Sequence, residues 1–434
     1  MNGLAMILRA RGYAVQGSDK AASPFTERLI QLGVPVIYGQ AAENLGDADM
    51  VIYSAAIKPD NPERVAARSR GIPEMERSVA LGEISAAYHE VVGIAGCHGK
   101  TTITSMLAHI SEKDALDATV HVGGFVDFLH GGTRVGSHEL FITEACEYVE
   151  SFLTLRPTVA LINNIDDDHL DYYKDVDAIT EAFVKFLALL PKDGLFIGCA
   201  DDVRVRRLLG AHEGRTLSYG MADADYTPAK LVYDEAGAPA FDLMRGGESL
   251  GRLTLHVPGR HIVIDAMAAA VTALQLGASM ETIASALSEF RNTLRRFDLY
   301  GQRDGVKVYH DYAHHPAEIR AALDAASRVP HGKLWCVFQC NSYTRAKTLF
   351  LEQVDCFANA DTVLVPDIYP GREQDDGSVH ARDMVAGINK SGGNALYMGT
   401  FENIRTYLDA NMRPGDLVIT LGSGDVYIQT KKLL

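Results

Sequence analysis

Hydrophobic and polar residues follow two different spacings in the first 88 residues. Leu4, Ile7 and Leu8 recur with the spacing of one helix face, so the chain is predicted to open on an amphipathic helix. Short runs rich in β-branched residues follow, separated by glycines and helical stretches, at residues 13–17, 34–38 and 50–54. This alternation is typical of a parallel α/β sheet. Because a Rossmann-type unit begins with a strand and a glycine turn, we expect that strand and turn to be missing from this sequence.

The later hydrophobic runs predict two more units of the same class. A buried strand at 91–95 leads into a glycine-containing turn and a helix at 103–110. It is followed by predicted strands at 139–143, 158–163 and 194–199 and predicted helices at 178–190 and 261–277. A third series begins after residue 291, with predicted strands at 306–309, 334–339, 362–366 and 416–420. We therefore expect an α/β protein of three domains, at residues 1–88, 89–293 and 294–434.

Charge and composition exclude several classes of partner. The 41 Lys and Arg residues are outnumbered by 56 Asp and Glu residues, which gives a net charge of −15. With no chain-wide positive field, neither nucleic acid nor a membrane surface is an expected partner. No apolar run approaches the ~18 residues of a membrane helix, and the six cysteines form no C-x-x-C pair. A cytoplasmic protein without a disulfide framework is the expectation.

The segment at 96–102 carries the clearest candidate chemistry. Its order of strand, Gly-x-His-Gly-Lys-Thr-Thr and helix offers a phosphate group close backbone approach, helix N-terminal N–H groups and a lysine. The residues concerned are Gly96, His98, Gly99, Lys100, Thr101 and Thr102, with Thr101 placed to hold Mg²⁺. The strict motif has glycine where Ile94 stands. A tight turn with a solvated lysine is therefore the alternative.

Acidic residues follow two of the predicted strands of the middle unit. Glu144 and Glu147 come after the strand at 139–143, at the sheet edge where parallel α/β folds bind ligands. They are candidate Mg²⁺ ligands or solvated turn acids. In the acidic stretch 164–171, His169 is a metal ligand or a surface histidine.

A second polar cluster, HDYAHHP at 310–316, follows the strand at 306–309 and precedes a helix that begins at Pro316. We expect an exposed loop that contacts a nucleotide or a carboxylate. A histidine-capped turn is an alternative, and a transition-metal site is a weaker one. Arginines that could hold a carboxylate or phosphate in a bidentate manner, or be merely solvated, are Arg295, Arg296, Arg345 and Arg372.

Taken in order along the chain, seven segments resemble the Mur ligase family. They are GCHGKTT at 96–102, EACEYVESF at 144–152, NNIDDDHLDYY at 163–173, VPGRHIVIDAMAA at 257–269, RRFD at 295–298, HDYAHHP at 310–316 and LGSGDVY at 421–427. The resemblance implies a truncated Rossmann-like N-terminal domain for a UDP-sugar, a central P-loop ATPase domain and a C-terminal Rossmann-like domain.

The branch of the family that the chain most resembles implies a specific reaction in the synthesis of peptidoglycan precursors. ATP would phosphorylate the lactoyl carboxylate of UDP-N-acetylmuramate, and the amine of L-alanine would then displace phosphate from the acyl phosphate. The expected cofactors are ATP and Mg²⁺. The expected partners are these two small molecules, with no nucleic acid and no membrane, and the sequence does not indicate an oligomeric state.

The resemblance also implies roles for individual residues. The catalytic residues would be Lys100, Glu144 and His169, and the metal ligands Thr101, Glu144 and His169. His314 joins the catalytic residues as a candidate proton acceptor on side-chain type alone, with His315 as the alternative. ATP would be bound by the residues of 96–102 given above together with Asp265, Arg296 and Asp311. The substrates would be bound by Asp19, Asn164, His315, Arg345 and Arg372.

Four positions depart from the family pattern and support a second hypothesis. Ile262 and Asp265 stand where the family has asparagine, and Asp265 can only accept hydrogen bonds from an adenine. Asn341 and Ser342 stand where the family often has His and Arg. Together with the missing strand, these changes indicate an alternative: a non-catalytic relative that binds a nucleotide or UDP-sugar.

Overall fold

The computed structural model describes residues 1–114, 116–137, 139–169, 172–291, 295–371 and 373–434. They form two compact units. The first unit comprises Met1–Asp167, Asp175–Asp225 and Ala268–Ile283, and the second comprises Asp168–Lys174, Tyr226–Met267 and Ala284–Leu434. The predicted domain joint at 293/294 lies outside the described residues, and the joint at 88/89 stays a prediction.

The first unit contains eleven strands within its described residues. These are β1 (Gly17–Asp19), β2 (Val36–Tyr38), β3 (Val51–Tyr53), β4 (Glu74–Glu76), β5 (Glu90–Ala95), β6 (Thr119–Val126), β7 (Gly131–Arg134), β8 (Leu140–Glu144), β9 (Val159–Ile162), β10 (Leu195–Cys199) and β11 (Arg215–Tyr219). Two parallel pairs, β1 with β2 and β3 with β4, belong to the N-terminal segment.

The larger sheet of this unit has the strand order β11-β10-β9-β5-β8-β6-β7. All its neighbours are parallel except β6 and β7. Strands β5, β9 and β10 are almost wholly buried, as expected of a parallel sheet covered on both faces. The carboxyl ends of β5, β8 and β9 consequently lie side by side at one edge.

Among the residues that the structure describes, seven helices accompany these strands: α1 (Asn2–Ala10), α2 (Pro24–Gln31), α3 (Pro62–Arg70), α4 (Arg77–Ser85), α5 (Lys100–Lys113), α6 (Val176–Leu187) and α7 (Val203–Ala211). Short 3₁₀ turns occur at Ala42–Leu45, Asp127–Leu129 and Tyr148–Thr154. Helix α2 begins at Pro24 behind a Ser23 capping box, and α6 begins behind the Asp175 side chain, which accepts from Ala178 N.

The predicted opening helix is confirmed, but the first predicted strand is displaced. Leu4 and Ile7 of α1 are buried, as their spacing indicates. Residues 13–16 are not in a strand, because β1 pairs with β2 only from Gly17, opposite Val36. The hydrophobic run at 13–17 thus marked the approach to the strand rather than the strand itself.

The second unit contains nine strands among its described residues: β12 (Tyr226–Tyr233), β13 (Pro239–Arg245), β14 (Glu248–Thr254), β15 (Asp298–Arg303), β16 (Val306–Asp311), β17 (Leu334–Phe338), β18 (Thr362–Pro366), β19 (Ala395–Gly399) and β20 (Leu417–Leu421). Strands β12, β13 and β14 form an antiparallel meander. The other six have the order β15-β16-β20-β17-β18-β19, all parallel except β15.

Helices cover the six-stranded sheet: α10 (Pro316–Arg328), α11 (Tyr343–Thr348), α12 (Phe350–Val354), α13 (Ala381–Lys390), α14 (Phe401–Asn411) and α15 (Val426–Thr430), followed by a 3₁₀ turn at Lys431–Leu433. Helices α8 (Arg260–Gln275) and α9 (Met280–Glu289) have residues in both units. The strands predicted at 334–339 and 362–366 are confirmed within one residue. Within the part of the chain that the structure describes, no helix combines the length and apolar character of a membrane span.

A buried carboxylate joins β17 to β20 in the second unit. Asp416 accepts hydrogen bonds from Trp335 Nε1 at 3.0 Å and from the backbone N–H groups of Lys333 and Arg413 at 2.9 and 3.0 Å. Burial alone would raise the pKa of Asp416, but these donors lower it below its usual value. The ionised form is therefore favoured by the fold, and its contribution to stability is lost as the pH falls through the lowered pKa.

We expect Asp416→Ala to lower the free energy of unfolding of the second unit by about 2–4 kcal/mol, because it leaves buried donors unsatisfied. Trp335 is the only tryptophan of the chain, so its fluorescence during urea unfolding reports this unit. The control is Asp409→Ala, which removes a half-exposed ion pair with Arg303 and should cost under ~1 kcal/mol. Equal effects of the two changes would contradict the role given to Asp416.

Candidate functional site

The turn between β5 and α5 is built for close approach of a phosphate group. Gly96 and Gly99 adopt φ of 132° and 86°, a region that disfavours other residues, and α5 begins immediately afterwards at Lys100. A Cβ at Gly96 would lie 3.1 Å from the backbone N of Asn164. The predicted strand, glycine turn and helix are thus present, and the first N–H groups of a helix, which lack partners within the helix, are suited to bind an anion.

The loop after β9 braces this turn. The backbone N–H of His98 donates to Asn164 Oδ1 at 2.8 Å, and Asn164 Nδ2 donates to His98 O at 3.0 Å. His98 Nε2 lies 3.2 Å from Asp166 Oδ2. Asn164, predicted to bind substrate, therefore holds the shape of the turn with its side-chain amide. Its role towards a substrate remains a prediction.

Lys100 is held inside its own turn by protein acceptors. Its Nζ donates to Cys97 O at 3.1 Å, to Gly96 O, and to both carboxylate oxygens of Glu147 at 2.9 Å. Burial acts to lower the pKa of Lys100, but the Glu147 carboxylate outweighs it and the net pKa is raised. The fold therefore favours the protonated form of this side chain. The sequence offered Glu147 as a metal ligand or a solvated turn acid, not as the partner of Lys100, and its position after a sheet strand was the available signal.

Glu144 and Thr101 lie next to two adjacent glycines of β6, Gly123 and Gly124. The Gly123 N–H donates to Glu144 Oε1 at 2.7 Å, and a Cβ at Gly123 would lie 2.8 Å from Glu144 Oε2. A Cβ at Gly124 would lie 3.0 Å from the Thr101 methyl group. In the described residues no cationic side chain pairs with Glu144. A carboxylate without a counter-cation and a nearby hydroxyl are hard oxygen donors, so these residues fit Mg²⁺.

In the second unit a partly buried cluster of charged and titratable residues surrounds the start of α10. Arg296 Nη1 lies 3.2 Å from Glu318 Oε1, and His314 Nδ1 lies 3.1 Å from Glu318 Oε2. Burial lowers the pKa of His314 to about 4, so its imidazole is neutral near pH 7. Asp311 accepts from the backbone N–H groups of Phe297 and Ala313, both at 2.7 Å, and burial raises its pKa to about 6. Arg296, Asp311 and His314 thus lie close to one another in the second unit.

The prediction of an exposed polar loop at 310–316 is wrong. His310 and Asp311 belong to β16 and are buried, because that strand extends two residues further than the hydrophobic run indicates. His310 Nδ1 lies 2.9 Å from Thr420 Oγ1. His315 is buried and caps α10, accepting from Ala317 N, while Pro316 occupies the first helical turn as expected. The histidines therefore have separate partners, which does not favour a shared transition metal.

The remaining predicted residues lie at several places. Asp265 is buried in α8, one turn after His261, whose pKa is lowered to about 4 by burial and by Arg296. Asp19 is exposed at the end of β1, and its carboxylate accepts from Lys20 N. His169, in the second unit, takes a φ of 54°.

Arg345 donates to Asn341 O at 2.9 Å and lies 3.8 Å from the Asp168 carboxylate. The hydrogen bond to Asn341 O therefore fixes the Nη1 side of the Arg345 guanidinium group. Arg372, the other predicted substrate arginine, lies outside the described residues.

Comparison with known proteins matches almost the whole chain. Three family models match it: "Mur ligase family, catalytic domain" at residues 1–89, "Mur ligase middle domain" at 94–273, and "Mur ligase, glutamate ligase domain" at 295–424. The UDP-N-acetylmuramate–L-alanine ligase of Acetivibrio thermocellus is 43% identical over 429 residues, which covers 98% of this chain and 92% of that protein. The ligase of the same name from Alkaliphilus metalliredigens is 41% identical over 100% of this chain and 94% of its own length.

Solved structures agree in architecture. The UDP-N-acetylmuramate-alanine ligase of Thermotoga maritima has a TM-score of 0.82 at 26% identity, covering 100% of this chain and 95% of that one. A MurF ligase from Thermotoga maritima in complex with ADP has a TM-score of 0.66 at 16% identity, covering 97% and 94%, and shows the shared fold. With family models along its length and relatives above 40% identity over nearly all of it, this chain belongs to the Mur ligase family.

Proposed function

We propose that this protein is the ATP-dependent ligase that joins L-alanine to the lactoyl carboxylate of UDP-N-acetylmuramate during peptidoglycan precursor synthesis. The observation that carries the proposal is the partly buried Lys100 ammonium, paired with Glu147 in a glycine turn at the start of α5. The similarity over the full chain to ligases of that name supports the choice of substrates.

The chemistry that this turn supports is transfer of a phosphoryl group. The lactoyl carboxylate oxygen attacks the γ-phosphorus of ATP, and ADP leaves with the electron pair of the broken P–O bond. The backbone N–H groups of the turn and the Lys100 ammonium stabilise the negative charge on the phosphate oxygens. Thr101 and Glu144 would hold Mg²⁺, which would supply positive charge to the phosphate oxygens.

Amide formation completes the reaction. The L-alanine amine attacks the carbonyl carbon of the acyl phosphate, and the tetrahedral intermediate expels phosphate. One proton must leave the nitrogen during this step. Since His314 is neutral near pH 7 and its Nδ1 lies 3.0 Å from Tyr312 O, its Nε2 is the ring nitrogen with an acceptor lone pair. His314 is therefore the residue that we propose to receive this proton.

Other roles are proposed on the matching of motifs. Arg296, Asp311 and Asp265 contribute to the ATP site, and His169 is a further metal ligand. Asp19, Asn164, His315, Arg345 and Arg372 contact the substrates. Domains at 1–88, 89–293 and 294–434 and a cytoplasmic location complete the proposal, and the family-model matches at 1–89, 94–273 and 295–424 support the division.

The test is product formation by the purified chain. With ATP, Mg²⁺, UDP-N-acetylmuramate and L-alanine, mass spectrometry should detect the alanyl product and one phosphate for each product. Omission of any one component should abolish both. Binding of ATP or UDP-N-acetylmuramate in calorimetry without turnover would instead support a non-catalytic relative, the alternative that Ile262 and Asp265 raise.

A substitution at Gly123 tests the metal site without removing a ligand. The added methyl of Gly123→Ala would lie 2.8 Å from Glu144 Oε2 and displace that carboxylate. We expect the Mg²⁺ concentration for half-maximal turnover to rise about tenfold, which corresponds to ~1.4 kcal/mol. Gly210→Ala is the control, because a Cβ there has no neighbour within 4 Å. An unchanged Mg²⁺ requirement in Gly123→Ala would contradict the placement of the metal at Glu144.

A further inference from the structure

Glu147 is a buried acid that the reaction scheme above does not use. Its side chain is 1% exposed, and each of its oxygens lies 2.9 Å from Lys100 Nζ. An ammonium group has three protons. The protons of the Lys100 ammonium face three acceptor groups: the carbonyl oxygens of Gly96 and Cys97 in the turn, and the Glu147 carboxylate. The lysine therefore has no free proton for a phosphate oxygen in this arrangement.

The segment after β8 fixes Glu147 in this position. Ala145 N donates to Ile94 O at 2.8 Å and ties the segment to β5. Phe152 N donates to Cys146 O at 2.9 Å, and the Phe152 ring stacks on Phe186 with centroids 4.8 Å apart. Between these anchors, Val149 and Glu150 hold φ of 48° and 54°, a conformation that costs energy in residues other than glycine. The segment thus presents Glu147 to Lys100 from a constrained turn.

We propose that Glu147 is an internal substitute for the nucleotide phosphates: it holds Lys100 while the site is empty and must release it when a triphosphate binds. This proposal rests on the nucleotide-binding half of the proposed function. The Glu147 carboxylate occupies the position of an anionic partner that a phosphate would otherwise provide for Lys100. Nucleotide binding therefore exchanges one ion pair of Lys100 for another. Glu147 is a positioning residue, because it acts through Lys100.

The exchange makes Glu147 oppose nucleotide binding. When Lys100 turns to the phosphates, the Glu147 carboxylate gives up this ion pair and lies near further negative charge. Repulsion between like charges a few ångströms apart is unfavourable. Removal of the charge at Glu147 should therefore tighten nucleotide binding, whereas damage to the fold would weaken it.

The experiment measures the Kd of ADP and of ATP with Mg²⁺ by titration calorimetry on the full chain and on Glu147→Gln. Glutamine keeps the size of the side chain and can still accept one hydrogen bond from Lys100. We expect the Kd of both nucleotides to fall at least about tenfold in this variant. We also expect kcat to fall, since Lys100 loses the partner that orients it between cycles, so Kd and kcat should both decrease.

The matched control is Glu150→Gln in the same segment. Glu150 pairs with the exposed Lys185 at 2.6 Å, so this variant should leave both Kd values unchanged. An unchanged or raised Kd in Glu147→Gln would overturn the proposal, and a raised Mg²⁺ requirement would show that Glu147 is a metal ligand instead. A parent chain that binds nucleotide but makes no alanyl product contradicts the proposed function alone, because the Kd comparison does not depend on turnover. A parent chain that binds no nucleotide contradicts both.

Discussion

Lys100→Met is expected to lower phosphate release in the presence of UDP-N-acetylmuramate and L-alanine by about 10²–10³-fold or more. The Lys100 ammonium is charged and lies at the N-terminus of α5, where the γ-phosphate would develop negative charge during transfer. Methionine keeps the length of the side chain without the charge. The loss should consequently appear mainly in kcat, since the interaction is strongest in the transition state.

Lys192→Met is the control for this change. Lys192 is an exposed lysine in a turn, so its replacement removes one positive charge without touching the site. It should leave the rate of phosphate release within about twofold of the parent value, as is usual for surface substitutions away from the site. A Lys100→Met variant with parental kcat would show that the glycine turn is structural and that phosphoryl transfer occurs elsewhere.

Glu144→Gln is the second substitution with a large expected effect. We expect a fall in turnover of about 10²-fold, because a carboxylate ligand contributes several kcal/mol of charge stabilisation through the metal that it binds. Raised Mg²⁺ should restore part of the activity, since the variant keeps the Gly123 N–H contact through its amide oxygen. The measurement is the rate of phosphate release as a function of Mg²⁺ concentration.

Glu139→Gln is the matched control, because Glu139 is exposed and precedes β8, whereas Glu144 ends it. Its Mg²⁺ dependence should equal that of the parent chain. If Glu144→Gln lost activity that no Mg²⁺ concentration restored while Glu139→Gln behaved as the parent, Glu144 would be acting in another capacity than metal binding.

The sequence predicted those parts of the fold that depend on a residue with a distinctive backbone preference, such as glycine at positive φ or proline at the start of a helix. The buried run at 91–95 followed by Gly96 and Gly99 predicted both the strand and the turn, because only glycine tolerates the φ values found there. Pro316 predicted the start of α10 for the same kind of reason. The antiparallel meander of β12, β13 and β14 was not predicted, since its exposed positions interrupt the hydrophobic alternation.

The candidate site was predicted less completely than the fold. The residue pattern without the family resemblance placed Glu144 and Glu147 at the same sheet edge but did not distinguish them. Their difference arises from tertiary contacts: Glu147 is 1% exposed and bonded to Lys100, whereas Glu144 receives only the Gly123 N–H among the described residues. The neutral state of His314 likewise depends on its burial, which hydrophobic spacing does not report for a polar residue.

Isotope transfer from substrate to phosphate tests the central claim most directly. UDP-N-acetylmuramate labelled with ¹⁸O in both oxygens of its lactoyl carboxylate is incubated with the chain, ATP, Mg²⁺ and L-alanine, and the released phosphate is analysed by mass spectrometry. If the carboxylate is activated as an acyl phosphate, each phosphate should carry one ¹⁸O atom and the new amide should keep the other. Unlabelled phosphate, released while the alanyl product forms, would contradict this account.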